Sequence, residues 1–417
     1  MPAASVSDSK IQIVGAGLSG LTLAYFLVKN GQAVEIYDKA DSVGGLIRTE
    51  IRSGMQVEAA ANGFLANALI ESLASDIGVT LLAAQPAAKK RFIYWRGLRQ
   101  WPLGLGQSLR MLLLIFKFFF FRETLRPLRH ETVRDWARRQ VGDFLAEQML
   151  QPALQGIYAG DVDQLSATLI FGPLLFPEGG RAPKGQLRGT VAPAEGMQEF
   201  ARKLSIWLQA HGVKIHLNQE LQDLSLRPLV FATAQPALRE LMQGLKLESP
   251  KAQMIPVIRA TAGFANPQKT LAGFGALFAS GQGYRALGVL SNSEIFAHRG
   301  SLHNETWMFG GAKDPQAIEL SDQEVHQLIK KERLQLLRDD TAVQDLVVVR
   351  WPQALPHYTV DYERALHDFA PLRAKLESEG LFLTGNHLGQ LGLSRIVAFN
   401  QELAKRISTY VQSGHSR

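Results

Sequence analysis

The 417-residue chain contains no cysteine. That excludes disulfides, thiolate catalysis and cysteine-ligated metals, and it is compatible with a reducing compartment, so a cytoplasmic location is expected. No uncharged apolar run reaches the roughly 18 residues that a membrane-spanning helix needs. The first ten residues are polar and lack the pattern of a secretory leader, so none is expected. Zinc-finger spacing, an RNA-binding signature and a lysine-rich tail are also missing. The formal net charge of +7 can therefore be read as an attraction to anionic lipid or anionic small molecules, and nucleic acid is not an expected partner. There is no internal repeat, and no low-complexity segment beyond a short phenylalanine run. No metal site is expected, and the oligomeric state is left open.

What is present begins with the first fifty residues. Ile11 to Val14 is a short apolar run, followed at once by Gly15-Ala16-Gly17-Leu18-Ser19-Gly20. Leu21, Ala24, Tyr25 and Val28 then recur at helical spacing, Asn30-Gly31 ends that helix, and Val34 to Tyr37 reads as the next strand. Asp38 stands 23 residues after Gly15. A glycine motif between a strand and a helix, with an acid at that distance, is a dinucleotide-binding fingerprint. Gly15 permits the tight turn, Gly17 lets the backbone approach a pyrophosphate at the helix N-terminus, and Gly20 lets helix and strand pack closely. Asp38 can accept hydrogen bonds from ribose hydroxyls. The segment continues through Gly44-Gly45-Leu46-Ile47-Arg48-Thr49. This resembles the extended fingerprint of glutathione-reductase-type FAD proteins, so FAD is the expected cofactor and Arg48 is expected near the flavin or its phosphates.

Length predicts two or three domains. Residues 86–190 read as a mostly helical insertion. Within it, Met111 to Phe121 is almost wholly apolar, and Arg110 to Arg139 holds eight Lys or Arg against three Asp or Glu. Two readings of the apolar run stay open: a core helix, or a surface that dips into an anionic membrane at its inner face. Thr132 and Asp135 resemble a capping box, and Val133, Trp136, Ala137, Val141, Phe144, Leu145 and Met149 mark one helical face. Strands are expected at Met254 to Phe264, Thr270 to Phe278, Ala286 to Leu290 and Glu305 to Phe309, with a helix over Ser321 to Leu337. A last strand, Leu381 to Thr384, runs into Gly385-Asn386 and a closing amphipathic helix.

Further segments carry a more specific resemblance. They are Lys90 to Tyr94, Gly156 to Asp161 followed by Leu165-Ser166, Gly273 to Leu277, Arg285 to Leu290, Gly310 to Asp314, Trp351 to Tyr358 and Leu381 to Gly389. In order, and over nearly the whole chain, they resemble oxygen-dependent protoporphyrinogen oxidase, within the amine-oxidase superfamily of FAD oxidoreductases. The chain departs from that pattern at Asp361-Tyr362, where the family has Gly-His, and at Gly389-Gln390, where it has Gly-Gly.

The resemblance implies an α/β fold: a Rossmann-like FAD-binding domain of glutathione-reductase type, a strand-rich substrate domain and a helical insertion. The corresponding segments are 8–85, 191–245 and 351–417 for FAD, 86–190 for the insertion and 246–350 for the substrate domain. The implied reaction is oxidation of a porphyrinogen, with dioxygen as electron acceptor. Coproporphyrinogen oxidation, another amine oxidase or desaturase, and a non-catalytic flavin- or tetrapyrrole-binding protein are the alternatives. By the same resemblance Arg91 meets a substrate carboxylate, Leu277, Phe296 and Val257 sandwich the macrocycle, and Ala159 and Gly160 line the cavity. Gly385 and Asn386 present backbone to the pyrophosphate, Leu393 and Ser394 lie near the isoalloxazine, and Trp351 packs close by. No side chain is nominated as catalytic, because the flavin carries the redox chemistry. His357 and His387 read as satisfied structural histidines.

Overall fold

The structure, a computed structural model, describes residues 10–101, 112, 114, 116–143, 147, 150–176, 183–390 and 392–414. The chain opens with β1 (Ile11–Val14), α1 (Leu18–Lys29) and β2 (Val34–Tyr37), then the hairpin β3 (Thr49–Arg52) and β4 (Met55–Glu58). β5 (Phe64–Leu65), α2 (Ala68–Asp76) and β6 (Leu81–Ala83) lead to β7 (Phe92–Tyr94) and β8 (Leu98–Gln100). Helices α3 (Val133–Val141), α4 (Gln151–Tyr158) and α5 (Ala167–Leu175) follow. The chain returns through β9 (Thr190–Pro193), α6 (Met197–Ala210), β10 (Lys214–His216), β11 (Leu229–Phe231) and α7 (Gln235–Gly244). Next come β12 (Met254–Phe264), β13 (Gly275–Phe278), β14 (Gly288–Leu290), α8 (Asn292–Ile295), β15 (His303–Gly310), α9 (Asp322–Leu337) and β16 (Val343–Pro356). The last elements are α10 (Val360–Ser378), β17 (Leu381–Leu383) and α11 (Leu393–Gln412).

Two large sheets organise these elements. The first is parallel, in the order β10-β2-β1-β11-β17. Strands β11 and β17 are wholly apolar and β1 nearly so, because helices cover both faces there. Ile13, Ile36 and Val230 pack with Leu21 and Leu27 of α1 and Leu403 and Ile407 of α11. On the other face Leu229, Phe231 and Leu383 pack with Leu238 of α7 and Phe369 of α10. Asn400 of α11 ties the two long helices together: its amide donates to Ser19 O and to Thr22 Oγ1, both at 2.8 Å.

The second sheet is mixed, in the order β16-β12-β15-β14-β13-β7-β8. One face is sealed by α9, whose Val325, Ile329 and Leu336 cluster with Ile258, Ala260, Ala262, Trp307 and Phe309. Ser321 starts α9 with a capping box closed by Glu324. The opposite face is described below.

Most expected elements are present, with differences that have local causes. Thr132 caps α3 by accepting from Asp135 N at 3.1 Å, but Gly142, at φ +82°, ends the helix at Val141. The continuous face expected to run on past residue 141 is therefore broken, and Phe144, Leu145 and Met149 lie outside the described residues. The segment 86–190 is not helical throughout: β7 and β8 form the far edge of the mixed sheet, and β9 pairs with β5 and β6. β16 runs without a break from Val343 to Pro356, so the expected division at residue 350 falls inside a strand. Strands at 270–278 and 286–290 shorten to β13 and β14.

A buried ion cluster fastens α9 behind the mixed sheet. The Arg333 guanidinium donates to Glu305 at 3.2 Å, to Asp339 at 2.9 Å and to Lys269 O at 3.0 Å, and it lies over the Phe264 ring. Burial opposes ionisation of Asp339, but hydrogen bonds from Thr341, the Lys269 amide and Arg333 outweigh it and hold its carboxyl well below the usual range. Arg333→Met leaves two carboxylates buried without their partner and should cost about 3–5 kcal/mol in urea unfolding. Because the folded pKa of Asp339 is depressed, its contribution is complete above the unfolded value near pH 4 and is lost as pH falls toward the folded value. Asp339→Asn should remove that part of the acid dependence, which a urea series across pH measures.

Candidate functional site: a glycine cradle facing a cation-bearing sheet

The crevice at the carboxyl ends of β1, β11 and β17 is where an open parallel sheet binds its ligand. Gly15 takes φ +115°, and a Cβ there would stand 2.6 Å from Ala232 O. A Cβ on Gly20 would stand 1.9 Å from Gly15 O. Both glycines are thus demanded by the protein's own packing. Gly17 differs. Its φ of −72° suits any residue, and an added Cβ would meet only Gly45 Cα, at 4.0 Å. Among the described residues nothing requires glycine at 17, so the bare backbone there is room for something else.

That room is bounded by the second glycine pair. Gly17 and Gly44 form a parallel bridge, and Gly44 N donates to Ala16 O at 2.9 Å. Gly45 is solvent-exposed. Arg48 donates from Nε to Gly45 O at 3.3 Å and is otherwise exposed. Asp38 accepts from Ala16 N at 2.6 Å and from Ala40 N at 2.8 Å, one bond to each oxygen, which leaves each a free lone pair. Beside Gly15 and Gly385, Thr233 Oγ1 is buried without a partner. An orphaned hydroxyl next to a cleared backbone cradle fits a dinucleotide diphosphate.

Gly385 has φ +143° and precedes a short turn, Asn386–Leu388. Two buried tyrosines pin that turn from beneath: Tyr358 donates to Asn386 O at 2.6 Å and Tyr362 to His387 O at 2.5 Å. Tyr362 is one of the two departures from the family pattern, and it has this structural task. His387 is fully buried with no partner at either ring nitrogen, and burial pulls it down to about 4, so the ring is neutral. His357 is also pulled below its usual value, chiefly by burial, and its Nδ1 is unpartnered. His357 is partly satisfied, its Nε2 accepting from Asp161 N at 3.4 Å, whereas the expected partners of His387 are absent among the described residues. Ser394 exchanges hydrogen bonds with the backbone of Leu65, at 3.1 and 2.8 Å, and Leu393 packs beside the first core.

The mixed sheet brings several of the other nominated residues onto one face. Leu277 pairs with Ile93 and with Gly288, Gly288 with Met308, and Met308 with Arg259. Directly paired residues share a face, as do residues two apart. Leu277, Val257 and Arg259 therefore line one side of the sheet, and Trp351 joins them opposite Val257. Trp351 donates from Nε1 to Ala59 O at 2.8 Å, and Ala59 N donates to Arg48 O at 2.9 Å, which links this face to the cradle. Ala159, at φ +50°, clusters with Val257 and Leu287. Gly160 is held bare by Leu165, whose Cδ2 would lie 2.7 Å from a Cβ. Gly156 of α4 sits directly over Leu277, 2.3 Å from where a Cβ would fall.

Arg91 is exposed one residue before β7, with its guanidinium over the Phe274 ring at 4.7 Å. Phe296 is set among core residues. It is 2% exposed, packed in the first core, with Arg299 over its ring at 4.7 Å. The sequence reading missed Arg259, Asn62 and the Glu58–Arg299 pair. Asn62 accepts from Arg259 and donates to Asn292 Oδ1 at 2.7 Å, and Asn292 donates to Thr306 at 2.7 Å. Glu58 and Arg299 are both buried, 3.1 Å apart. A charged residue inside the otherwise apolar β12 was the available signal.

Comparison with known proteins decides the family. The pattern described as flavin containing amine oxidoreductase matches residues 18–235. The chain belongs to that family. It is an FAD-dependent oxidoreductase. It is 26% identical to the chloroplastic protoporphyrinogen oxidase of Nicotiana tabacum over 96% of this chain and 85% of that one. It is 20% identical to the coproporphyrinogen III oxidase of Bacillus subtilis (strain 168) over 98% of this chain and all of that one. Among solved structures, a provisionally named protoporphyrinogen oxidase from Exiguobacterium sp. 255-15 matches with TM-score 0.77 and 18% identity, over 98% of this chain and 100% of the other.

A test separates the two kinds of glycine. Gly17→Val should fold with near-normal stability yet purify largely without FAD. Gly20→Ala should lower the thermal midpoint whether or not FAD is supplied. Full flavin content in Gly17→Val would remove Gly17 from the cofactor site.

Proposed function

We propose that the enzyme dehydrogenates a porphyrinogen to a porphyrin, with dioxygen as the terminal electron acceptor. The observation that carries this reading is the shared face of the mixed sheet. It presents an apolar floor of Val257, Met308 and Leu277, and the cation Arg91, which has no ion pair among the described residues, stands at the far edge beside β7. A porphyrinogen is a large apolar disc with carboxylates on its rim, so a flat apolar floor with a cation at one end suits it. The relatives named for protoporphyrinogen and coproporphyrinogen oxidation support the same substrate class.

In this reading the FAD supplies the hydride acceptor. Gly17, Gly44, Gly45, Arg48, Gly385 and Asn386 hold the diphosphate in a glutathione-reductase-type cradle, Gly15 and Gly20 keep its turn and helix tight, and Asp38 holds a ribose. Trp351, Leu393 and Ser394 border the flavin. Leu277 and Val257 fix the plane of the disc, Ala159 and Gly160 leave it room, and Arg91 fixes its rotation by a bidentate grip on a carboxylate. Three two-electron dehydrogenations make the ring aromatic, and each converts one dioxygen to hydrogen peroxide. Phe296, being packed in the core, acts only as support behind the wall.

A charge-assisted hydrogen bond is worth roughly 1.5–3 kcal/mol. Arg91→Ala should therefore lower kcat/KM for porphyrinogen about ten- to a hundredfold with FAD content unchanged. A substrate with esterified carboxylates should be poor for the wild type and scarcely affected by the substitution. Equal loss for the acid and the ester would return Arg91 to an ordinary surface role.

We also propose peripheral membrane contact through the arginine-flanked apolar segment. Among the described residues no helix is long and apolar enough to cross a membrane. Phe116, Phe119, Phe120 and Phe121 are nonetheless exposed, Phe119 and Phe120 at 70% each, and Lys117, Arg122 and Arg126 stand among them. Met111, where the expected run begins, lies outside the described residues. Phe119→Ser with Phe120→Ser should weaken sedimentation with anionic liposomes, and added salt should weaken wild-type binding. Equal partition of variant and wild type would exclude this surface.

A further inference from the structure

The cofactor-facing side of the mixed sheet carries an interior charge that no acid matches. Arg259 stands in the middle of β12, between Met308 of β15 and Val349 of β16. It lies deep in the molecule yet keeps some accessible surface, so it borders an internal space and not a close-packed core. Its guanidinium donates from Nη2 to Asn62 Oδ1, a neutral amide. Its Nε is buried without a partner. Among the described residues no carboxylate lies within ion-pair distance of it. The acid whose field reaches it is Glu58, and that carboxylate already receives Thr49, Gln56, Met197 N and Arg299. Burial pulls the guanidinium down to about 10, so it keeps its charge at neutral pH. Buried charges are ordinarily paired, and a perturbed one beside an internal space marks a functional position.

The partner can be located from the chain's own connections. Asn62 is fixed with its oxygen toward Arg259, because its amide nitrogen donates to Asn292, which is held by Thr306 and through it Thr261. Asn62 also ends the segment that starts at Ala59, whose backbone bonds reach Arg48 on one side and Trp351 on the other. A dinucleotide with its ribose at Asp38 and its diphosphate at Gly17 and Gly45 carries its second ring system along that segment, toward Trp351 and Arg259. A carboxylate held at Arg91 is four strands away across the sheet, about 19 Å at the usual strand spacing. The nearer source of negative charge is the flavin.

We propose that Arg259 is the counter-charge for reduced FAD. Hydride transfer from a substrate adds two electrons and one proton to the isoalloxazine, which leaves the ring one unit more negative. Arg259 stabilises that charge and so raises the reduction potential of the bound flavin. This inference rests on the FAD assignment and not on the substrate reading, and its test uses no porphyrinogen. The midpoint potential is measured by equilibrium reduction of holoenzyme for wild type, Arg259→Met, Arg259→Lys and Asn62→Asp. Arg259→Met should shift the balance at least tenfold toward oxidised flavin, which is about 30 mV for a two-electron couple. Arg259→Lys should stay nearer wild type. Asn62→Asp keeps the guanidinium but sets a carboxylate against it, and should shift the midpoint in the same direction as Arg259→Met. An unchanged midpoint in flavin-loaded Arg259→Met overturns the proposal. If Arg259→Met cannot hold FAD, Asn62→Asp decides: a wild-type midpoint there overturns the proposal.

Discussion

Two glycine-bearing turns meet at Gly17 and Gly44–Gly45, and the rest of the site depends on their staying apposed and bare. A diphosphate can be held by main-chain N–H groups only where no side chain intervenes. The fold secures that condition from several directions. Gly15 and Gly20 are locked by backbone contacts, the Ala16–Gly44 hydrogen bond fastens one turn to the other, and Asp38 braces Ala16 from the next strand. Gly17 alone of the three is free of such demands.

From the cradle, order passes to the second sheet through backbone. Arg48 and Ala59 join the glycine turn to the indole of Trp351, and Trp351 stands opposite Val257 on the sheet face. The glycine turns and the apolar floor are thus linked by backbone hydrogen bonds. The far wall of the cradle is held in the same manner, by Tyr358 and Tyr362 beneath the Asn386–Leu388 turn. The Tyr362 bond is buried and the Tyr358 bond partly so, and Asn386 O also accepts from Gly389 N at 3.2 Å. The neutral, unpartnered His387 beside them is a consequence of that packing, since both tyrosines engage backbone and leave the ring nothing to bond.

The parallel sheet was legible because its signals are local. The run Ile11–Val14, the glycine spacing and the ending at Asn30-Gly31 each specify conformation within a few residues. The same holds for α9, whose Ser321 cap is written in sequence. The mixed sheet was less legible because its partners are distant. β7 and β8 sit inside a segment whose neighbours are helical, and only their pairing with β13 shows that they are strands. An aromatic residue looks alike in sequence whether it faces a ligand or a core, and Phe296 lies in the core with Arg299 over its ring. Arg259 was overlooked for the converse reason. A single arginine in an apolar strand is usually taken for an edge, whereas the registers with β15 and β16 put it in the interior.

Function follows from which molecule gives electrons to the flavin in this cavity. The most direct measurement is anaerobic mixing of FAD-loaded protein with protoporphyrinogen or coproporphyrinogen, following loss of the oxidised-flavin absorbance in a single turnover. Rapid loss with at least one porphyrinogen, and none with a simple diamine such as putrescine, is the result predicted. Flavin that stays oxidised with both porphyrinogens, in protein that is fully loaded and folded, would contradict it.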